Sequence, residues 1–133
     1  MKNLTKNSVA KVGVASALIG AGLFLSACGG GDEFKPSSEA EKKAVNLIKR
    51  KSADAKILSF SVAQKEFGLK DRECLKSKGT MDIDDVIDIY FVKLPNGEIQ
   101  VREVLFNNRT NGGALSDTYT LEQIKAKKAD CFN

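Results

Sequence analysis

Apolar positions recur along this chain with changing period, and each period marks an element. Ala40, Ala44, Leu47 and Ile48 stand at i, i+4, i+7 and i+8, with Val45 beside them, which is one stripe of a helix. Ser38-Glu39-Ala40-Glu41 has the S-x-x-E form of a capping box, and the run Lys49-Arg50-Lys51 suits the negative end of a helix dipole. A helix is therefore predicted over 38–52. From Ile57 to Ala63 the period drops to two, with Leu58, Phe60 and Val62 on one face and Ser59 and Ser61 on the other, which predicts a half-buried strand. Residues 64–81 are polar and mixed, with a short helical turn over 71–76 carrying Cys74.

The clearest unit is 85–106. Val86-Ile87-Asp88-Ile89-Tyr90-Phe91-Val92 is rich in β-branched and aromatic residues, Pro95-Asn96-Gly97 supplies a turn, and alternation resumes from Glu98 to Phe106. This is an antiparallel hairpin. Residues 107–116, NNRTNGGALS, read as a projecting polar loop, and 117–119 as a short edge strand. Thr120-Leu121-Glu122-Gln123 is a second capping box, opening a helix through about Ala129 with Leu121 and Ile124 facing inward. The order predicts an α+β domain: a small antiparallel sheet of three or four strands, flanked by an N-terminal and a C-terminal helix, with one sheet face covered.

A different pattern opens the chain. Lys2, Lys6 and Lys11 precede an uncharged, largely apolar stretch of 16 residues, Val12–Ala27. As a helix that stretch would be about 24 Å long, short for the ~30 Å core of a bilayer, so it has the form of a secretory signal. Leu25-Ser26-Ala27-Cys28 resembles the lipobox of bacterial lipoproteins. The resemblance covers residues 1–28 and implies a lipid on the Cys28 sulfur, cleavage before Cys28 and acylation of the new amino group. Gly29, in place of the aspartate that signals inner-membrane retention, implies sorting to the outer membrane. The expected organisation is a signal peptide at 1–27, a lipidated cysteine and flexible Gly-rich tether at 28–38, and one domain at 39–133. A multiply acylated cysteine holds to a membrane where one chain would be marginal.

Processing changes the charge. The formal +4 of the 133-residue chain includes the three lysines of the signal, which carries no acid, so the mature part stands at +1. Nucleic-acid binding loses its electrostatic support. The sequence has no histidine, which removes Ser–His and Cys–His catalysis and His-ligated metals. Cys74 and Cys131 are expected to form one disulfide in an oxidising compartment, and with no C-x-x-C motif a redox activity has no support.

Candidate sites are weighed against plainer roles. Asp82, Asp84, Asp85 and Asp88 could bind calcium, but the sixth position counted from Asp82 has no glycine and Lys93 stands at the twelfth, so a solvated acidic start to the strand, paired with lysines, is the better reading. The same acids with Glu98 or Glu103 could form a hydrolase dyad, the least favoured reading. Lys42, Lys43, Lys49–Lys51 and Lys56 make the first helix basic, fitting an anionic lipid or polysaccharide surface or simply a solvated face. Arg109 and Asn111 in the polar loop and Tyr90 in the hairpin are candidate contact residues, with Phe34 and Phe67 as further aromatic anchors. The expectation is a non-enzymatic envelope lipoprotein without cofactor. Its anchor binds the membrane, and its domain binds an envelope protein or glycan as an adaptor or assembly accessory. The alternative is an inhibitor or exclusion factor against an incoming hydrolase or phage component, acting through the 107–116 loop.

Overall fold

The computed structural model describes residues 32–133. Cys28 and the stretch expected to be a signal peptide lie outside the described residues. The chain is α+β: α1 (Glu39–Lys51), β1 (Lys56–Ile57), α2 (Phe60–Phe67), a 3₁₀ turn (Arg72–Leu75), β2 (Ser77–Lys78), β3 (Asp85–Lys93), β4 (Ile99–Asn107), β5 (Gly113–Thr120), α3 (Leu121–Lys127) and a second 3₁₀ turn (Ala129–Cys131). The sheet is antiparallel and five-stranded, because β1 and β2 pair with opposite ends of the same edge of β3. The hairpin β3–β4 is its centre, in register from Asp85–Asn107 to Lys93–Ile99.

Both faces of the sheet are covered, where one had been expected. Tyr90, Val92 and Val104 face Ala44 and Ile48 of α1, while Ile89, Phe91 and Val101 face α2, α3 and the disulfide. Burial on two sides explains why β3 runs apolar almost without alternation. Arg102 is buried on the α1 face and donates to Gln100 Oε1 and, at 3.1 Å, to Ser52 Oγ at the end of that helix.

The strand expected over 57–63 is a correction. Only Lys56–Ile57 is strand, and Phe60–Phe67 is helix. Ser59 caps it by accepting from the Val62 N–H, and Gly68 closes it in the left-handed region at φ 77°. Leu58, Phe60 and Val62 satisfy a period of two by coincidence. The longer set Phe60, Ala63 and Phe67, with Gln64-Lys65-Glu66 exposed, has the period of a helix. The 3₁₀ turn at 72–75 falls inside the expected turn and carries Cys74.

Two boundaries also move. Phe34 donates its N–H to Ile57 O at 2.8 Å and sets its ring 5.4 Å from both Phe60 and Tyr90, so packing begins within the segment expected to be a flexible tether. The 107–116 loop contracts to 108–112, because Asn107 Oδ1 accepts from the Arg109 and Thr110 N–H groups and turns the chain back at once. β5 therefore starts at Gly113 and is a full edge strand of eight residues, with two residues opposing Glu103 where the register shifts.

The capping box at Thr120 is complete. At Ser38 only half of it forms: the Ser38 hydroxyl accepts from the Glu41 N–H, but Glu41 Oε1 reaches back to Ser37 instead. Cys74 and Cys131 are joined, with Cα atoms 5.6 Å apart. Gly79 sits where the backbone comes close to Asp85, and a Cβ there would stand 2.5 Å from the Asp85 Cβ. Gly79→Ala should cost about 1–3 kcal/mol, read as a lower urea midpoint at unchanged slope.

Candidate functional site

Asp88 is the one charge within the apolar run of β3, and a carboxylate placed under a helix needs a partner. Arg72 supplies it from the 3₁₀ turn. Its Nη1 and Nη2 donate to Asp88 Oδ1 and Oδ2 at 2.9 and 2.8 Å, a bidentate pair. Nη2 also reaches Glu41 Oε2 at 3.3 Å and the Tyr90 hydroxyl at 3.4 Å. The guanidinium lies 4.0 Å above the centre of the Phe60 ring. One side chain thus joins α1, α2 and β3.

The electrostatics follow from this enclosure. Burial opposes the charge on Arg72, yet Asp88 more than offsets it and holds the guanidinium firmly protonated. Burial likewise opposes charge on Glu41, but hydrogen bonds from Ser37 and Arg72 keep its carboxyl below the ordinary glutamate value. Burial and then the Asp88 charge push the Tyr90 hydroxyl up, so it stays neutral.

Beside this network, between the first turns of α1 and the sheet, lies a cleft of about 410 Å³. Its floor is apolar, from Ala40, Ala44, Val86, Val104 and Phe106. Its polar lining comes from Ser38, Glu39, Lys76, Asn108 and Asn111, with Glu41 and Asp88 already committed to Arg72. Glu41 and Asp88 are taken up by Arg72, which leaves apolar surface, the neutral groups of Ser38, Asn108 and Asn111, and the charged ends of Glu39 and Lys76.

The sequence-derived candidates separate clearly. Asn111 is at the cleft, in the left-handed region at φ 60° that asparagine tolerates. Tyr90 lines the cleft from the core, 1% exposed, and is a packing residue rather than a surface anchor. Phe34 and Phe67 are likewise packed, Phe67 against Phe91 at 5.5 Å. Arg109 is exposed but engaged, donating to Asp82 at 2.7 Å and Asp84 at 3.3 Å. It pins the loop to the acidic segment, and a freely probing tip is not what the structure shows.

The acidic cluster disperses in the same way. Asp82 and Asp84 pair with Arg109, not with lysines; Asp85 accepts from Asn107 Nδ2 at 2.8 Å; Asp88 belongs to Arg72. The Asp84 N–H and then Arg109 hold the Asp82 carboxyl below its ordinary value. No group of three or more metal-ligating side chains converges among the described residues. The proposed dyad partners are also kept apart. Glu103 pairs across from Ile89 and so faces away from Asp88, and Glu98 sits at the far turn. In α1, Lys42 lies 3.8 Å from Glu39, and Lys49 donates to Ala55 O at 2.6 Å.

Arg72 went unnoticed in the sequence. Its only signal is indirect, an aspartate inside an apolar strand that demands a cation from somewhere. Fold and site together define a small disulfide-stapled domain, helices on both faces of an antiparallel sheet, with an apolar-floored cleft beside the first turns of α1. Comparison with protein-family models, curated proteins and solved structures finds no match to this chain.

Proposed function

We propose that this protein is a lipid-anchored envelope protein of the outer membrane, non-enzymatic, whose domain binds another envelope component through the cleft beside α1. The observation that carries this reading is the chemistry of that cleft. Its buried carboxylates, Glu41 and Asp88, are spent on Arg72, which leaves an apolar floor edged by Ser38, Asn108, Asn111, Glu39 and Lys76, suited to holding a side chain or short segment of a partner protein. The lipobox-like Leu25-Ser26-Ala27-Cys28 supports the anchor, and anchoring raises the effective concentration of a partner in the same membrane. Among the described residues no helix is long and apolar enough to cross a membrane.

Two results test it. Labelled palmitate should enter the wild type and not Cys28→Ala; label in both would remove the anchor. In-cell cross-linking with mass spectrometry should then give a dominant partner that disappears with Ala40→Phe, which fills the cleft from an exposed helix turn. A cross-link that survives Ala40→Phe in a folded protein would move the binding surface elsewhere.

A further inference from the structure

The two edges of the sheet are finished differently. On the β3 side, β1 and β2 take up the two ends of the strand, the Leu58 N–H donates to Phe91 O at 2.8 Å, and the Ile89 N–H donates to the Asp88 carboxylate at 2.8 Å. β5 forms the other edge, and among the described residues no backbone group bonds to its outer side. Its eight residues include neither proline nor a basic side chain, and all are exposed except the half-buried Leu115 and Tyr119. Alternate residues of such a strand turn N–H and C=O outward, a row that another extended chain can complete. Beside this edge runs an open trough of about 340 Å³, lined by Leu47, Arg50, Lys51, Gly113, Ala114 and Leu115. α1 is its wall, so close that a Cβ on Gly113 would stand 2.9 Å from Lys43 Cγ. Lys42 and Lys49 on that helix are engaged by Glu39 and Ala55 O, whereas the exposed Arg50 and Lys51 side chains have no ion pair among the described residues.

We propose that the outer edge of β5 takes up an extended acidic segment of a partner protein as an added strand along Gly113–Ser116. Three features converge on that occupant. The open backbone row calls for an extended chain, which supplies the missing hydrogen bonds. The apolar trough between Leu47 and Leu115 accepts one side chain of the face that a strand turns toward α1. Arg50 and Lys51 at the same trough fit carboxylates at the neighbouring positions of that face. The register shift opposite Glu103 ends the regular ladder after Leu115, so the added strand is short. Charge disfavours a second copy of this chain as the occupant. A two-fold axis normal to the sheet keeps both α1 helices on one face, so pairing centred on Leu115 confronts the Arg50 and Lys51 of one copy with those of the other. Pairing centred on the bulge opposes the two Asp117 carboxylates instead. This surface shares no lining residue with the cleft beside the first turns of α1.

The probe is a fluorescein-labelled peptide, Ser-Glu-Thr-Leu-Thr-Glu-Ser, which as a strand sets its leucine and both glutamates on one face. Its anisotropy is followed against the full chain in detergent at low salt. Saturable binding is expected, with slower hydrogen exchange in β5. Arg50→Glu with Lys51→Glu, both on exposed helix surface, should weaken binding about tenfold, and added salt should weaken it as well. Ala40→Phe, which fills the separate cleft, should leave it unchanged. Two further peptides, N-methylated at alternate backbone nitrogens in opposite phase, keep every side chain. One should bind and the other should not, because only one phase turns its methyl groups toward β5. Two phases that behave alike would overturn the added strand. No saturable binding, or binding lost with Ala40→Phe, would overturn the site. A dimer of the full chain that the peptide dissociates would assign the edge to a second copy, and the proposed partner would fall.

Discussion

Replacing both Cys74 and Cys131 with alanine should lower stability by about 4 kcal/mol, the chain-entropy value for a loop of this length. In a domain of this size that is a fall in melting temperature on the order of 20 °C, or outright loss of the fold at growth temperature. The effect is expected to be large because the bond ties the C-terminal 3₁₀ turn to the Arg72 turn across a sequence separation of 57. Arg72–Leu75 and Ala129–Cys131 are three or four residues each, yet they place Leu75 and Phe132 in the core beside Phe91. Without the bond, the last residues keep the Lys70 N–H to Cys131 O and Asn133 N–H to Gly68 O hydrogen bonds, both 2.8 Å, as their main attachment. Thermal melts of the oxidised, reduced and double-alanine proteins measure this directly. A loss of only a few degrees would mean that the core alone fixes the C-terminus. Isolated without reductant, the protein should also show no reactive thiol at 74 or 131 under denaturing conditions, and two reactive thiols would contradict the bond.

Arg72→Ala should be nearly as damaging, about 3 kcal/mol, seen as a melting temperature lower by about 15 °C. The substitution leaves Asp88 and Glu41, at 14% and 17% side-chain exposure, without their cation, and strips the guanidinium from the Phe60 ring. Arg72→Lys should recover only part of this, because an ammonium cannot make the bidentate pair with Asp88 while also reaching Glu41. The pH dependence gives a separate check. Glu41 has a folded pKa below its ordinary value, so its contribution to stability is present above the unfolded pKa and is lost as pH falls through the folded one. The wild type should therefore lose stability on acidification below about pH 5 in part through Glu41, and Glu41→Gln should flatten that portion of the curve. If Glu41→Gln leaves the acid limb unchanged, Glu41 is not the group being titrated.

The identity of the network also explains which functional reading is favoured. A carboxylate that catalyses must be free to exchange a proton or meet a substrate, and Asp88 has both oxygens on one guanidinium. Asp84 accepts from Arg109 Nε through one oxygen, Oδ2, at 3.3 Å. Asp88 holds the 3₁₀ turn to the sheet through Arg72, and Asp82 and Asp84 hold the 79–84 loop through Arg109.

What the sequence determined by itself is local. Ser38 and Thr120 as helix starts, the Asn96-Gly97 hairpin and the α+β class all follow from hydrogen bonds and periodicities within a few residues, and all are present in the fold. The pairing of Cys74 with Cys131 was also legible, since they are the two cysteines left once Cys28 is assigned to a lipid. Other features depended on what lies across the fold. Phe60 is helical because Ser59 and Gly68 bracket a turn that can lay Ala63 and Phe67 on the sheet, an advantage that alternation alone does not reveal. Gly113–Thr120 is a strand although it is polar and glycine-containing, because β4 offers it a ladder and α1 covers Leu115. Phe34 leaves the tether because an aromatic slot between Phe60 and Tyr90 repays the ordering of its chain. Arg72 meets Asp88 and Glu41 across 16 and 31 residues of sequence, and only the folded backbone brings such distant charges within bonding distance. Charges find partners through space, and a linear pattern records that a partner is needed without recording which one it is.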